Sequence, residues 1–143
     1  MPVLSDADRV RVGEMLAAMT SPVRLAFFTQ TLNCETCLPT RQILDELASL
    51  TDKLSVEEHN FLLEGESAAS FGVDRVPAIV PLGENGRDHG IRFLGIPSGY
   101  EFMSLLDAIL LVSSGASGLG DASKALLAGV TDPVHLQVFV TPT

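Results

Sequence analysis

Two cysteines occur in this chain, Cys34 and Cys37, and just Glu35 and Thr36 separate them. A pair at that spacing can close as a disulfide or open as a dithiol, so the chemistry it suggests is thiol–disulfide exchange. In that chemistry a thiolate attacks a disulfide sulfur on a partner, and a second thiol one helical turn away resolves the mixed disulfide. Cys34 is the expected nucleophile and Cys37 the expected resolving thiol. A thiolate at the start of a helix is favoured by unpaired backbone N–H groups and by the helix dipole, and Cys34 is expected there. Glu35 and Thr36 lie close enough to the sulfurs to tune them.

Three other uses of two close cysteines compete. Zinc takes four ligands, and His59, His89 and His135 are scattered without ligand spacing, so a metal would have to be shared between two chains. A structural disulfide across so short a loop removes little chain entropy. Two inert thiols acting as small buried hydrophobes are the third reading. In the leading reading the sulfurs work alone, with no metal and no cofactor.

The flanking sequence supplies elements to hold the pair. Upstream, Val23-Arg24-Leu25-Ala26-Phe27-Phe28 opens a buried strand expected over 23–30. Downstream, Ile43, Leu44, Leu47 and Leu50 recur as on one helix face, predicting a helix to about Leu50 with Pro39 in its first turns. Ahead of both, residues 5–19 predict a helix capped by Ser5 or Asp6, with Val12, Met15, Leu16 and Met19 as its apolar stripe.

Leu54 to Phe61 alternates as a second strand, with Leu54, Val56, Glu58 and Asn60 on one face and Ser55, Glu57, His59 and Phe61 on the other. His59 is expected at the surface. A short helix over 65–71 closes at Gly72. Val73 to Leu82 and Ile91 to Leu94 predict a hairpin about a polar turn from Gly83 to Gly90. Ser98 to Glu101 has the pattern of a capping box, and Phe102, Leu105, Leu106, Ile109 and Val112 form the stripe of the last long helix.

The order β-α-β-α-β-β-α, four strands flanked by helices, is that of the α/β thioredoxin fold with one extra N-terminal helix. Ser113 to Gly120 has linker composition. A helix over 122–129 and a strand over 134–140, rich in β-formers, extend the chain beyond it. The expected division is therefore residues 1–113 as the cysteine-bearing domain and 114–143 as linker, helix and strand.

Composition narrows the partners. Hydrophobic residues make up 46% of the 143, enough for a folded core. No apolar stretch approaches the ~20 residues of a membrane helix, and the opening residues lack the basic and apolar regions of a signal peptide. A cytoplasmic setting is expected, with no membrane partner, and there a lone C-x-x-C is more often catalytic than structural. The net charge of −9 repels nucleic-acid phosphates and suits basic protein partners.

Three segments together resemble the protein disulfide oxidoreductases built from tandem thioredoxin-fold units, also described as glutaredoxin-like. They are strand-Cys34-x-x-Cys37-helix, the Gly-Val-x-x-Val76-Pro77 run, and Gly95-Ile96-Pro97-Ser98-Gly99-Tyr100-Glu101-Phe102. The resemblance covers nearly the whole chain. Residues 121–143 look like the opening of a second unit, whose own C-x-x-C would follow; the sequence stops first. The N-terminal domain of alkyl-hydroperoxide-reductase flavoenzymes is similar in layout, although there the working pair belongs to the second unit.

The resemblance implies that Pro77 is cis and faces the cysteines, and that the Val76 backbone holds an incoming peptide in extended form. The competing reading is that Val76-Pro77 merely starts an edge strand. The resemblance also implies a buried acid near the sulfurs. The first strand carries none, so Glu58 is the candidate, against the reading of Glu58 as solvated.

Function then divides into two classes. One is a thiol–disulfide oxidoreductase acting on protein disulfides and regenerated by a thiol or a thioredoxin-reductase-type reductant. The other is a non-catalytic or electron-relay module of a larger two-unit protein or flavoenzyme. Glu35 opposes a thiolate on Cys34, and no Lys, Arg or His lies between Gln30 and Thr40, which places the couple on the reducing side unless Glu35 is screened by water. Residues 134–140 are expected to pair with the first unit's sheet or with the same strand of a second chain, giving a homodimer.

Overall fold

The apolar run after Pro22 forms β1 (Val23–Thr29), which lies inside the sheet and is covered on both faces. On one edge it pairs in parallel with β2 (Leu54–Asn60), and on the other antiparallel with β3 (Ala78–Leu82). A short β4 (Phe93–Leu94) adds to β3, giving the order β2-β1-β3-β4. The computed structural model describes residues 2–141, and among these five α-helices accompany the sheet. This is the thioredoxin arrangement expected from the element order. Pro142 and Thr143, which the expected second-unit opening includes, lie outside the described residues.

Alternation along β1 sends Leu25 and Phe27 into one layer and Ala26 and Phe28 into the other. The first layer is closed by α1 (Asp6–Leu16), α2 (Cys37–Ala48) and α4 (Tyr100–Ser114), through fully buried Leu16, Leu44, Leu47, Leu105, Leu106 and Ile109. The second is closed by α3 (Gly65–Ser70) and its flanks, through Ala68 and Val73 with Phe61 and Phe71. Each such leucine or phenylalanine contributes about 1.5–3 kcal/mol on burial, so the two layers around β1 dominate the fold.

Several boundaries move from their expected places. α1 ends at Leu16, yet Met19 is still buried, because Ala18 and Met19 continue in turns bonded to Met15 and Leu16. β3 starts after Pro77 instead of at Val73, since the Val73 amide is used to close α3 on the Ala68 carbonyl. Pro81 sits within β3 opposite Leu25, where β4 is too short to need its missing N–H. The capping box at Ser98 does not form. The cap is Gly99, at φ 62°, which glycine adopts without penalty, and no side chain caps the helix.

Residues 134–140 depart furthest from expectation. They form no strand, and Leu136, Val138 and Phe139 are each at least 85% exposed. With Phe93, Leu94, Tyr100 and Glu101 they bound an open groove of about 880 Å³. The sheet edge on that side is the two-residue β4, which offers too little ladder to bind a seven-residue strand. Strand propensity needs a partnered, half-covered surface to act on. α5 (Asp121–Ala128) forms close to where it was expected.

Ser113, assigned by composition to the linker, is instead buried within α4. Its Oγ accepts from the Thr20 and Ser21 amides, both at 3.0 Å, and donates to the Ser21 carbonyl at 2.7 Å. One hydroxyl thus ties the end of α4 to the entrance of β1. Ser113→Ala leaves those groups partnerless and should lower the unfolding free energy by about 1–3 kcal/mol in urea titration. An unchanged midpoint would show that water takes the place of the hydroxyl.

Candidate active site

β1 delivers the chain into a loop over residues 30–36, which turns at Asn33 through the left-handed region (φ 57°). Asparagine tolerates that conformation better than most side chains. Cys34 and Cys37 follow, joined as a disulfide with their Cα atoms 5.4 Å apart. Cys34 is half-buried and Cys37 is 3% exposed, so the first sulfur is the more open to a reagent.

The helix begins later than the cysteine spacing suggested. Thr36 is its cap and Cys37 its first residue, which leaves Cys34 outside it. The disulfide nevertheless holds the Cys34 sulfur against the first turn, where the Cys37 and Leu38 amides have no intrahelical acceptor. Thr36 contributes through its carbonyl, which accepts from the Thr40 amide at 3.0 Å and from Thr40 Oγ1 at 2.7 Å.

Thr40 is fully buried and was missed from sequence. The available signal was its place on the same helix stripe as Ile43, Leu44 and Leu47. A hydroxyl facing a core from that position must bond back to the carbonyl four residues earlier.

Arg41 is the nearest basic residue after the pair, and it is already engaged. It bonds Asp45 at 2.7 Å and also bonds Glu58 on β2. Glu58 is exposed, so it is not the buried acid that the resemblance suggested. Its face of β2 was read correctly, but that end of the strand is open, and α2 presents a guanidinium there. Glu35 is exposed between the two cysteines.

Val76 and Pro77 lie at the same end of the sheet as the cysteine loop. The residue after Pro77, Ala78, pairs with Phe28 near the end of β1, and the Pro77 carbonyl accepts from Gly95 at 2.9 Å. The Val76–Pro77 peptide bond is cis, as the resemblance implied. Val76 is half-buried and Pro77 buried.

His59, expected at the surface, has a side chain just 12% exposed. It stacks on Phe28 with centroids 4.9 Å apart, because the α3 layer covers that face of β2. Its Nδ1 lies 3.0 Å from Glu64 Oε1. Nε2 is buried 2.9 Å from Glu57 Oε1, yet out of hydrogen-bonding alignment, so that contact is electrostatic. Periodicity gave the face correctly and could not tell that the face was covered.

No family model matches the chain. A solved structure of a protein disulfide oxidoreductase from Aeropyrum pernix K1 superposes with a TM-score of 0.85 at 28% identity, over 96% of this chain and 60% of that one. A flavoenzyme-type relative, one component of the alkyl hydroperoxide reductase of Staphylococcus epidermidis, is 31% identical over 103 residues, covering 72% of this chain and 18% of that protein. A Bacillus subtilis protein named NADH dehydrogenase is 44% identical over 71 residues, covering 50% of this chain and 11% of that protein. The chain thus spans less than a fifth of the length of these curated relatives. Their kinds agree with the tandem-unit resemblance seen in the sequence.

The loop after β2 carries a pH-dependent clasp. The Asn60 amide, then His59, hold the Glu64 carboxyl below its ordinary value of 4.5, outweighing a small opposing desolvation. A carboxyl depressed in the folded state stabilises fully above 4.5, and that stabilisation is lost as pH falls through the lower folded value. Calorimetric melting temperatures should therefore drop between about pH 5 and about pH 3. Glu64→Gln should remove part of that drop, and an identical profile in the variant would show the clasp to be idle.

Proposed function

We propose that this chain, thioredoxin-folded and similar to a disulfide oxidoreductase and to part of an alkyl hydroperoxide reductase component, exchanges disulfides with protein substrates through Cys34 and Cys37. The observation that carries this reading is the half-buried Cys34 bonded to a buried Cys37 at the first residue of α2. An incoming nucleophile or disulfide meets one sulfur first, and the other waits one turn away.

In the reductive direction, the Cys34 thiolate bonds to one sulfur of a substrate disulfide and the other substrate sulfur leaves as a thiolate. Cys37 then attacks Cys34 in the mixed disulfide, releasing the second substrate thiol and closing the Cys34–Cys37 bond. A thiol or a thioredoxin-reductase-type reductant returns the pair to the dithiol, which a cytoplasmic setting favours. The Val76 backbone, next to Pro77, holds the substrate segment as a short added strand. Glu35 sets the charge beside Cys34, and Thr36 fixes the helix entrance through its carbonyl. Glu58 acts at most indirectly, through Arg41.

A relay role within a larger protein is the second reading. It is favoured by the small share of its relatives that this chain spans. Residues 1–113 are then the redox unit, and 114–143 the linker and opening of another. The exposed apolar segment 134–140 is suited to pairing, either with that unit or with a second copy of this chain.

Cys37→Ser should trap a covalent adduct with a disulfide substrate through Cys34, detected by mass spectrometry, while Cys34→Ser should trap none. Capture by Cys37 alone would reverse the roles. Turnover of an insulin-type disulfide with a thiol reductant separates an oxidoreductase from a module that does not catalyse.

The local charge also sets the direction of the chemistry. With Glu35 unopposed and Arg41 occupied by two carboxylates, the thiolate gains little from side chains. Equilibration against glutathione should place the couple near the ~−270 mV of reducing thioredoxins, and a value above about −180 mV would overturn this. Glu35→His should raise the potential.

A further inference from the structure

Solvent-facing leucines surround the cysteine pair. Leu32 and Leu38, on either side of it, are 71% and 67% exposed, and Leu62 and Leu63, in the loop after β2, are 67% and 84% exposed. The sheet brings both loops to one end. Thr29 pairs with Asn60, and the Phe61 amide donates to the Thr29 carbonyl at 2.8 Å. Asn60 Oδ1 accepts from the Leu62 and Leu63 amides, each at 3.0 Å, so these leucines stand on a fixed turn. Exposed apolar side chains gathered on a rigid frame mark a docking surface.

The charges at this end are one-sided. Three arginines belong to the elements that meet here, and each is occupied by carboxylates. Arg41 bonds Asp45 and Glu58, Arg75 bonds Asp74 at 2.8 Å, and Arg92 bonds Asp88 at 2.7 Å. Arg41 faces two carboxylates, so its cluster keeps a net negative charge. Glu35 adds another at the sulfurs themselves.

Resting on the exchange reading above, we propose that this end selects disulfides in extended peptide segments with apolar and basic flanks, and turns away glutathione. Leucines on the surface seat apolar flanks, and Glu35 with the Arg41 cluster attracts basic ones. Glutathione carries two carboxylates against one ammonium and no apolar side chain. Its disulfide brings a net charge of the wrong sign and finds each of these arginines taken. In the selected step the Cys34 thiolate displaces one peptide thiolate, and Cys37 displaces the other. The peptide disulfide gains two electrons and two protons, and the Cys34–Cys37 pair gives them up.

The test uses the chain reduced with dithiothreitol and then freed of it. It is mixed with a peptide disulfide flanked by Leu and Lys, the same peptide with Glu for Lys, or glutathione disulfide. Closure of the Cys34–Cys37 bond is followed by quenching and alkylation, and each rate is divided by that of dithiothreitol with the same disulfide. The Leu/Lys peptide should lead the Leu/Glu peptide by about tenfold at low salt, with the ratio shrinking in about 0.5 M salt and glutathione disulfide slowest. Glu35→Gln should narrow the Lys-to-Glu ratio about threefold. Leu62→Ser with Leu63→Ser should slow the Leu/Lys peptide about fivefold more than glutathione disulfide. Equal normalised rates, or glutathione disulfide fastest, would overturn the selectivity. Reaction with none of the three would overturn the exchange reading beneath it.

Discussion

The pairing of β1 with β2 on one edge and β3 on the other is the constraint on which the remaining structure depends. A slip of one residue would send Leu25 and Phe27 into the α3 layer and Ala26 and Phe28 into the other, exchanging two cores of different size. With the register fixed, two segments distant in sequence must emerge side by side. Phe28 is opposite Ala78, so the loop that follows β1 and the Val76–Pro77 segment that precedes β3 reach the same end. The cysteines need no contact of their own with that segment to be placed beside it.

What was legible in the sequence follows from this. The apolar run Val23–Phe28 marked a strand covered on both faces, and the alternation in β2 put Glu58 and His59 on opposite sides, where they are. The stripe Leu105, Leu106, Ile109 and Val112 marked the face that α4 buries. These signals are local, and each depends on side-chain period alone.

The misses share the opposite character. His59 is buried because Phe28 and α3 cover it, and neither lies near it in sequence. Ser113 left the linker because Thr20 and Ser21 needed a partner across the fold. Gly99, rather than Ser98, caps α4 because the chain arrives there through a positive φ. The segment 134–140 has the composition of a strand and lacks an edge long enough to make it one. The Arg41–Glu58 bridge likewise joins a helix to a strand, and as an exposed pair it contributes about 0–1 kcal/mol. Its larger effect is to keep that guanidinium away from the sulfurs.

The hairpin between β3 and β4 turns at the end of the sheet remote from the cysteines, since Leu82 is opposite Arg24 at the start of β1. Residues 84–90 there are exposed, while Gly83 beneath them is buried against Val112. The length of β1 puts about 20 Å between this tip and the disulfide. A surface, an electrode or a fluorescent group attached at Asn85 would therefore hold the molecule with its sulfur end facing outward. The sheet itself would serve as the spacer, and the orientation would be the same for every immobilised copy.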